Sequence, residues 1–178
     1  SRTKASSASP IKGRLFDMAA ATAIAYSEAL DRGGPSPLLT VRYRLLDRLV
    51  LSKLRAAMGG RVTHAISGGA SLGTRLGHFY RGLGLMVLEG YGLTETTAGA
   101  TLNVPGAIKI GSVGKPVFAT SVRIAHDGEI LLKGPHIFAG YWQNQAATDE
   151  VMTPDGWFRS GDVGRLDDEG FLYITGRK

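Results

Sequence analysis

The sequence predicts a mixed α/β fold in which a parallel sheet with covering helices is followed by a β-rich antiparallel portion. Three observations support this class. Apolar residues recur at helical spacing in two long segments before residue 59. A strand, a glycine-rich turn, a helix and a second strand then follow within residues 62–88, which is the order of a β-α-β unit. Beyond about residue 110, short alternating segments flank hairpin turns.

Two helices are predicted first, over residues 11–31 and 38–58. Glycine pairs at 33–34 and 59–60 end them. In the second helix the apolar residues at helical spacing are Leu38, Val41, Leu45, Leu49, Leu54 and Met58, and the basic residues 42, 44, 48, 53 and 55 lie largely off that face. We expect both helices to be scaffold.

The next elements are a strand over 62–67, a helix over 71–81 and a strand over 85–88 that runs into residues 89–92. Later, segments 121–125 and 129–132 flank Asp127-Gly128, and segments 163–166 and 171–175 flank residues 168–170. Both patterns indicate hairpins. A short helix is predicted over 144–150. We therefore divide the chain into a helical and α/β portion, residues 1–104, and a β-rich portion, residues 105–178.

Composition places the chain among ordinary globular proteins. Its 178 residues are 43% apolar and 20% charged and include no Cys, which excludes collagenous, disordered and disulfide-stapled classes. The net charge of +6 arises within the first 58 residues. These basic residues have few aromatic neighbours, so we predict no nucleic-acid partner. No apolar run of about 18 residues and no secretory signal is present, which predicts a cytoplasmic protein.

The glycine-rich turn at residues 67–73 lies between a strand and a helix and admits three interpretations. The first is dinucleotide binding, in which Glu89, about 20 residues farther on, would hold a ribose. The glycines do not follow G-x-G-x-x-G, however, and no Tyr is followed by Lys four positions later, as a short-chain dehydrogenase requires. In the second interpretation the glycines only allow close packing.

A serine hydrolase is the third interpretation, because residues 69–73 match the G-x-S-x-G pattern with Ser71 as nucleophile. A triad would also need an acid and then a His. Only His126 and His136 lie well beyond this helix, and only Glu89 and Glu95 are acids between Ser71 and His126. Taken alone, the turn does not decide between these chemistries.

The segment that follows the second strand, residues 89–96, favours a nucleotide site. It contains an aromatic ring, Tyr91, that can stack on a base, a hydroxyl, Thr94, that can bond a phosphate oxygen, and a carboxylate, Glu95, that suits Mg²⁺. Gly90 and Gly92 on either side of the tyrosine allow its ring to face a ligand.

Four blocks together resemble the adenylate-forming superfamily, and within it the long-chain fatty-acid–CoA ligases. They are residues 67–70 (SGGA), 91–95 (YGLTE), 156–162 (GWFRSGD) and 170–178 (GFLYITGRK), in the family's order. Residues 140–148 resemble the family's connector, and 49–61 resemble the long-chain branch. The SGGA block also favours that branch, because fatty acyl-AMP ligases tend to carry Gly-Ala-Glu there. Such a ligase, or another adenylate-forming enzyme, is the main alternative.

The resemblance implies a role for each matching residue. The backbone of Gly68, Gly69 and Ala70 borders adenine and Tyr91 stacks on it. Thr94 bonds the α-phosphate, and Glu95 holds Mg²⁺. Asp162 and Arg177 grip the ribose hydroxyls. The implied nucleotide-binding set is Gly68, Gly69, Ala70, Glu89, Gly90, Tyr91, Gly92, Thr94, Asp162, Ile174 and Arg177, with Thr94 and Glu95 as the catalytic pair.

The activity implied is ATP-dependent activation of a fatty acid to acyl-AMP, then transfer of the acyl group to CoA, with peripheral membrane contact for acyl delivery. The resemblance covers the middle and later part of the family's large N-terminal domain. It implies that a phosphate-gripping loop with a Lys lies before residue 1 and that a mobile lobe with a catalytic Lys lies after Lys178. We therefore expect the isolated chain to be close to inactive.

Overall fold

The computed structural model describes residues 10–178, and the Ser-rich first nine residues lie outside the described part. The chain forms two compact units. Residues up to Ala65 together with Gly73–Val87 form the first, and Ile66–Leu72 together with Leu88–Lys178 form the second. The predicted mixed α/β class is confirmed. The division after residue 104, which rests on the change in sequence pattern, stays a prediction.

The first unit is mainly helical. Its helices are α1 (Pro10–Leu30), α2 (Pro37–Leu46), α3 (Ser52–Ala57) and α4 (Thr74–Leu83), and a π-helical turn, Asp47–Leu51, joins α2 to α3. The core consists of Ala19, Ala23, Leu46, Leu51 and Leu83. Helices α1 and α4 pack closely because Gly82 has no side chain: a Cβ there would overlap the carbonyl of Ala23. Within residues 10–178, no helix is both long and apolar enough to cross a bilayer.

Except for Leu54, the apolar residues expected to mark the scaffold face of the second helix are exposed, which corrects that expectation. Leu38 is 80% exposed, and Val41, Leu45 and Leu49 are more than half exposed. The buried side instead contains Leu46 and Leu51, with Tyr43, Val50 and Leu54 packed against the core.

Tyr43 fixes this rotation of α2. Its ring stacks on Tyr26 of α1 with centroids 4.0 Å apart, and its hydroxyl donates a 2.8 Å hydrogen bond to the carbonyl of Gly82. At about 100° per residue, the side of α2 that contains Tyr43 and Leu46 lies roughly 120° from the exposed apolar residues. The contacts of one aromatic residue thus determine which side of the helix is buried.

Two four-stranded sheets contain the strands. The first has the order β1 (His64–Ser67), β2 (Met86–Tyr91), β3 (Thr101–Leu102) and β4 (Lys115–Pro116). The two strands predicted within 62–88 therefore share a sheet, as expected. β3 and β4, which the sequence pattern does not predict, extend it by antiparallel pairs. The second sheet has the order β5 (Ser121–Ile124), β6 (Glu129–Lys133), β7 (Phe158–Leu166) and β8 (Leu172–Arg177).

The second sheet consists entirely of antiparallel pairs, so both predicted hairpins are confirmed. Helix α5 (Gln145–Val151) corresponds to the short helix predicted over 144–150. The core of the second unit consists of Tyr91, Ala100, Val113, Ile130, Leu132, Phe158 and Leu172. Because Tyr91 belongs to this core, the residue at the end of β2 is held by residues of β6, β7 and β8.

Candidate functional site

A cavity of about 270 Å³ lies within the second unit, where the glycine turn, the end of β2 and the last hairpin meet. Its walls come from four stretches of chain that are distant in sequence. The lining residues are Gly69, Ala70, Ser71, Glu89, Gly90, Tyr91, Gly92, Leu93, Gly111, Val113, Asp162, Ile174 and Arg177. Nearly all residues predicted to bind the adenosine part of a nucleotide are in this lining. Gly68 and Thr94 are not.

Glu89 holds the glycine turn in place. The carboxylate is buried, and its Oε1 accepts a 2.9 Å hydrogen bond from the backbone N–H of Leu72. Gly69 and Gly73 in this turn have φ values of +80° and +81°, which residues with a side chain rarely adopt. The turn is therefore shaped by its glycines and tied to the end of β2 by one buried acid.

Asn103 is a further organising residue that the sequence analysis did not identify. It is buried, and its side-chain N–H₂ donates to the carbonyls of Glu89 and Ser112 at 3.2 and 2.8 Å. Its Oδ1 accepts from the backbone N–H of Lys109 at 2.9 Å. The loop of residues 104–112, which contributes Gly111 to the cavity wall, is thereby attached to β2. No local motif marks this residue, because its partners are 6 to 14 residues away.

The glycines on either side of Tyr91 are required by close backbone approach. A Cβ on Gly90 would lie 2.9 Å from Cδ1 of Leu102 on β3, and a Cβ on Gly92 would overlap the carbonyl of Ala98. Thr97 and Ala98 themselves have positive φ values, 50° and 82°. Strained backbone of this kind is frequent at functional sites. The glycines thus serve packing as well as access to the ring.

Tyr91 and Asp162 form the buried pair at the centre of the cavity wall. The tyrosine hydroxyl donates a 2.8 Å hydrogen bond to Oδ2 of Asp162, and both residues are less than a tenth exposed. Burial raises the pKa of Tyr91, and the neighbouring carboxylate adds to the rise. The phenol therefore stays protonated and donating at any physiological pH.

Arg177 lies across the β7–β8 ladder from Asp162. The two are register partners, and Nε of Arg177 is 3.7 Å from Oδ1 of Asp162. The arginine side chain is 75% exposed, so its guanidinium is available to a ligand. Ser160, which sequence analysis did not single out, orients the acid: its hydroxyl accepts from the Asp162 N–H and donates to the carbonyl of Ile130. Tyr91, Asp162 and Arg177 thus form one connected chain of polar groups.

Thr94 and Glu95 begin a short 3₁₀ turn, Thr94–Thr96, directly after the cavity. Thr94 is exposed. Glu95 lines a second cavity of about 490 Å³, which shares Leu93 and Arg177 with the first. Its Oε1 accepts a 2.8 Å hydrogen bond from the hydroxyl of Tyr141, and this bond raises the pKa of Tyr141. The predicted phosphate and metal residues therefore lie beside the predicted adenosine residues.

Mg²⁺ is the cofactor that the sequence implies for Glu95. Among residues 10–178, no group of three or more His, Cys, Asp or Glu side chains is arranged to hold a metal. Mg²⁺ is commonly bound by one or two carboxylates, with substrate phosphates and water completing its octahedron. A single glutamate beside an open cavity is suited to a Mg²⁺ ion that binds together with a nucleotide. It is not suited to a permanently bound metal.

Ser71, the nucleophile of the hydrolase interpretation, lines the first cavity but has no histidine partner within the described residues. His64, His78 and His136 hydrogen-bond Thr63, Ser27 and Thr120 respectively. A serine hydroxyl needs an adjacent general base to act as a nucleophile. The geometry in residues 10–178 therefore gives the hydrolase interpretation no support.

Comparison with known families identifies the chain. The model of the AMP-binding enzyme family matches residues 16–142. The chain belongs to this family. Among curated relatives of the chain, the long-chain-fatty-acid–CoA ligase FadD15 of Mycobacterium tuberculosis is 57% identical over 167 residues. The match covers 94% of this chain and 28% of that protein. Long-chain-fatty-acid–CoA ligase 5 of Rattus norvegicus is 38% identical, over 77% of this chain and 22% of its own length.

Solved structures agree with this family. The ATP- and magnesium-bound O-succinylbenzoate CoA synthetase of Bacillus subtilis is 30% identical, with a TM-score of 0.58, over 70% of this chain and 30% of that one. The N-terminal domain of FACL13 from Mycobacterium tuberculosis is 35% identical, with a TM-score of 0.57, over 65% of this chain and 31% of that one. The chain thus spans between about a fifth and a third of the length of these relatives.

Proposed function

We propose that the chain is the adenosine-binding part of a long-chain fatty-acid–CoA ligase. The observation that carries the proposal is the single cavity in which the glycine turn, Tyr91, Asp162 and Arg177 meet. Its volume of about 270 Å³ suits the adenosine portion of a nucleotide. The identity of the chain to two mycobacterial FadD15 ligases, 57% and 58%, supports the long-chain branch over other adenylate-forming enzymes.

The proposed reaction has two steps. A carboxylate oxygen of the fatty acid attacks the α-phosphorus of ATP, and the bond from that phosphorus to the bridging oxygen breaks, which gives acyl-AMP and pyrophosphate. The thiolate of CoA then attacks the acyl carbonyl, and AMP leaves with the electron pair of the carbon–oxygen bond. No protein nucleophile is needed. Catalysis therefore depends on alignment of the reactants and on neutralisation of developing charge.

In this proposal the residues that line the adenosine site hold the ligand in one fixed orientation. The backbone of Gly68, Gly69 and Ala70 borders the adenine, and the Tyr91 ring supplies its stacking face. Asp162 accepts hydrogen bonds from the ribose hydroxyls, and Arg177 donates to them. The hydrogen bond from Tyr91 to Asp162 supports this assignment, because it holds ring and carboxylate in one fixed relation before a ligand enters.

The phosphate residues complete the proposed site. The exposed hydroxyl of Thr94 donates to the α-phosphate, and the free oxygen of Glu95 holds Mg²⁺, which would neutralise phosphate charge. Tyr141 positions Glu95 by its hydrogen bond to the other carboxylate oxygen. Glu89, Gly90, Gly92 and Ile174 shape the walls around the nucleotide.

The proposed activity also requires parts of the enzyme that lie outside these 178 residues. A lysine-bearing phosphate loop and a mobile lobe with a catalytic lysine, both typical of the family, would come from other segments, so the 178 residues alone have little activity. ATP, a fatty acid and CoA are the substrates. The proposed location is the cytoplasm, with peripheral membrane contact for acyl delivery.

Calorimetric titration of AMP into the 178-residue chain tests the proposal. We expect a dissociation constant near 1 mM, or about −4 kcal/mol, because only the adenosine half of the site is present. Asp162→Ala should abolish the binding, whereas Asp149→Ala, at an exposed acid on α5, should leave it unchanged. Glu95→Ala should leave AMP binding almost unchanged. AMP binding that survives intact in a folded Asp162→Ala variant would show that the nucleotide binds elsewhere.

A further inference from the structure

The turn that contains Glu95 has a strained backbone. Thr97 and Ala98 have φ values of 50° and 82°, so two consecutive residues with side chains lie in the positive-φ region. This conformation is unfavourable for any residue with a Cβ and rare for a β-branched residue such as threonine. Such strain persists only where neighbouring groups hold the chain in place. We therefore looked for the contacts that hold residues 94–98.

Residues 136–141, which we call the strap, hold the backbone of this turn. Oγ1 of Thr97 donates a 2.8 Å hydrogen bond to the carbonyl of His136. The backbone N–H of Phe138 donates another, also 2.8 Å long, to the carbonyl of Glu95. One bond thus acts on a strained residue and the other on the backbone of the proposed Mg²⁺-binding residue.

Tyr141, at the end of the strap, fixes the side chain of Glu95 through the 2.8 Å hydrogen bond to its Oε1. The backbone of Tyr141 is held in turn by Thr148 of α5. Thr148 is buried, and its Oγ1 accepts a 2.9 Å hydrogen bond from the Tyr141 N–H and donates one to the carbonyl of Asn144. The close approach requires glycine at position 140, because a Cβ on Gly140 would lie 2.7 Å from Cγ2 of Thr148. A chain of contacts therefore runs from α5 to the carboxylate.

Phe138 attaches the middle of the strap to the core of the second unit. Its ring lies edge-on to the ring of the buried Phe158, with centroids 5.6 Å apart, and edge-on to that of Tyr141 at 4.8 Å. Aromatic pairs in this arrangement attract each other beyond the area they bury. The strap is thus bound to the core by apolar contacts and to the turn by hydrogen bonds, so it can hold the turn against its strain.

We propose that the strap is a positioning element for the phosphate end of the nucleotide site, with Tyr141, Thr148 and Ala98 as positioning residues. It keeps the strained turn in the one conformation in which Thr94 and the free oxygen of Glu95 face the phosphates of Mg²⁺-bound ATP. The inference rests on the proposed function and extends it to residues that do not line the adenosine cavity. All three act through Glu95 and not on the nucleotide itself.

The absence of glycine from the strained positions supports this role. Stability alone would favour glycine at a positive φ, because glycine adopts it without strain. A residue with a Cβ restricts the conformations open to the turn, and a turn that is already restricted loses less entropy when a ligand binds. Thr97 and Ala98 therefore suit a turn that must be fixed before the nucleotide enters.

Calorimetric titration of ATP into the 178-residue chain tests Tyr141. The quantity measured is the Mg²⁺ ratio, which is the dissociation constant of ATP in EDTA divided by that in excess Mg²⁺. We expect a ratio of about ten for the unaltered chain and about two for Tyr141→Phe, because Glu95 loses its fixed orientation. The affinity for AMP should change less than about twofold. Tyr173→Phe is the matched control, since that hydroxyl also donates to a carboxylate, of Asp167, and it should keep the full ratio.

Thr148 tests the anchor behind Tyr141. Thr148→Val removes the hydroxyl and should lower the Mg²⁺ ratio, whereas Thr148→Ser retains the hydroxyl and should restore it. Because Thr148 is buried, circular dichroism and urea denaturation check the folding of both variants. A merely structural role would weaken the binding of AMP and of Mg²⁺-bound ATP by the same factor. That result, or a full ratio in folded Tyr141→Phe, would overturn the proposal.

Ala98→Gly separates positioning from stability. Glycine relieves the strain, so the free energy of unfolding should stay the same or rise, while the Mg²⁺ ratio falls about threefold because the turn is less restricted. Amide hydrogen exchange of residues 93–99 in the ligand-free chain should become faster. Ala119→Gly, at a φ of 62° in the loop between β4 and β5, is the control and should keep the ratio. An Ala98→Gly variant with unchanged ratio and exchange would contradict the proposal.

The outcomes distinguish this inference from the proposed function on which it rests. If AMP binds and Asp162→Ala abolishes the binding, but the Mg²⁺ ratio is full in Tyr141→Phe, the adenosine site stands and the role of the strap is wrong. If the unaltered chain binds AMP but its affinity for ATP does not respond to Mg²⁺, the roles of Glu95 and the strap are both wrong. A chain that binds no AMP would overturn the proposed function together with this inference.

Discussion

The hydroxyl of Tyr91 donates a 2.8 Å hydrogen bond to Oδ2 of Asp162, which joins the end of β2 to the middle of β7. The two residues are 71 positions apart in sequence. This bond fixes an aromatic face and a carboxylate in the wall of one cavity. It also links the first sheet to the second within the same compact unit.

Tyr91→Phe retains the ring and removes only this hydrogen bond. We expect the free energy of unfolding to fall by about 1–3 kcal/mol, because a buried carboxylate oxygen loses its donor. AMP affinity should also fall, since the acid that holds the ribose is no longer fixed. Urea denaturation and AMP titration measure the two effects. Tyr80→Phe is the matched control, as the Tyr80 hydroxyl has no hydrogen bond with residues 10–178. Equal stability losses in the two variants would contradict the importance of the bond.

Gly92→Ala should destabilise the chain by about 3 kcal/mol, because the added methyl group overlaps the carbonyl of Ala98 and forces the backbone to shift. Gly99→Ala, where a Cβ has no neighbour within 4 Å, should change stability by less than about 1 kcal/mol. Thermal unfolding of both variants gives the comparison. Two variants of equal stability would mean that the loop after β2 adapts without cost.

Acid unfolding should depend on the ion pair between Lys109 and Asp167. The hydrogen bond from Lys109, 2.6 Å long, lowers the pKa of Asp167 to about 2. Because the pKa of Asp167 is depressed in the folded state, its ionised carboxylate stabilises the protein at pH values above the ordinary aspartate pKa, which is near 3.9. That stabilisation is lost as the pH falls from about 4 towards 2.

In Lys109→Met the urea midpoint should therefore fall less between pH 5 and pH 2.5 than it does in the unaltered chain. Lys53→Met removes an exposed lysine of α3, and its urea midpoint should fall with pH as steeply as that of the unaltered chain. The measurement is the urea midpoint at a series of pH values. Parallel curves for all three proteins would show that Lys109 does not lower the pKa of Asp167 in the folded state.

Ser71 should not react with a fluorophosphonate probe, because no histidine among the described residues lies within hydrogen-bonding distance to activate it. Mass spectrometry of the treated chain measures the labelling. Stoichiometric modification that disappears in Ser71→Ala would favour the hydrolase interpretation over nucleotide binding.

Local sequence patterns predicted the elements of the site but not how they are joined. The turn at residues 168–170 predicts a hairpin, and strand pairing then places Asp162 opposite Arg177. The contact between Tyr91 and Asp162 could not be predicted in this way, since it joins two sheets. Asn103 was missed for a related reason: its role comes from carbonyls that only the folded loop brings within reach.

The orientation of α2 shows a different limit of sequence analysis. Helical spacing identified Leu38, Val41 and Leu45 as one row but could not show whether that row is buried. The choice depends on Tyr43, which contacts a ring of α1 and a carbonyl of α4. Periodicity gives the rows of a helix, whereas its neighbours decide which row faces the core.

Photolabelling with 2-azido-AMP tests the central claim most directly, because it reports where the adenine ring lies. Peptides from the irradiated chain are mapped by mass spectrometry, with excess AMP as competitor. The account predicts AMP-protected labelling confined to the glycine turn, residues 67–72, and to the end of β2 around Tyr91, and a large reduction in Asp162→Ala. Protected labelling confined to helices α1–α4, or unchanged in Asp162→Ala, would contradict it.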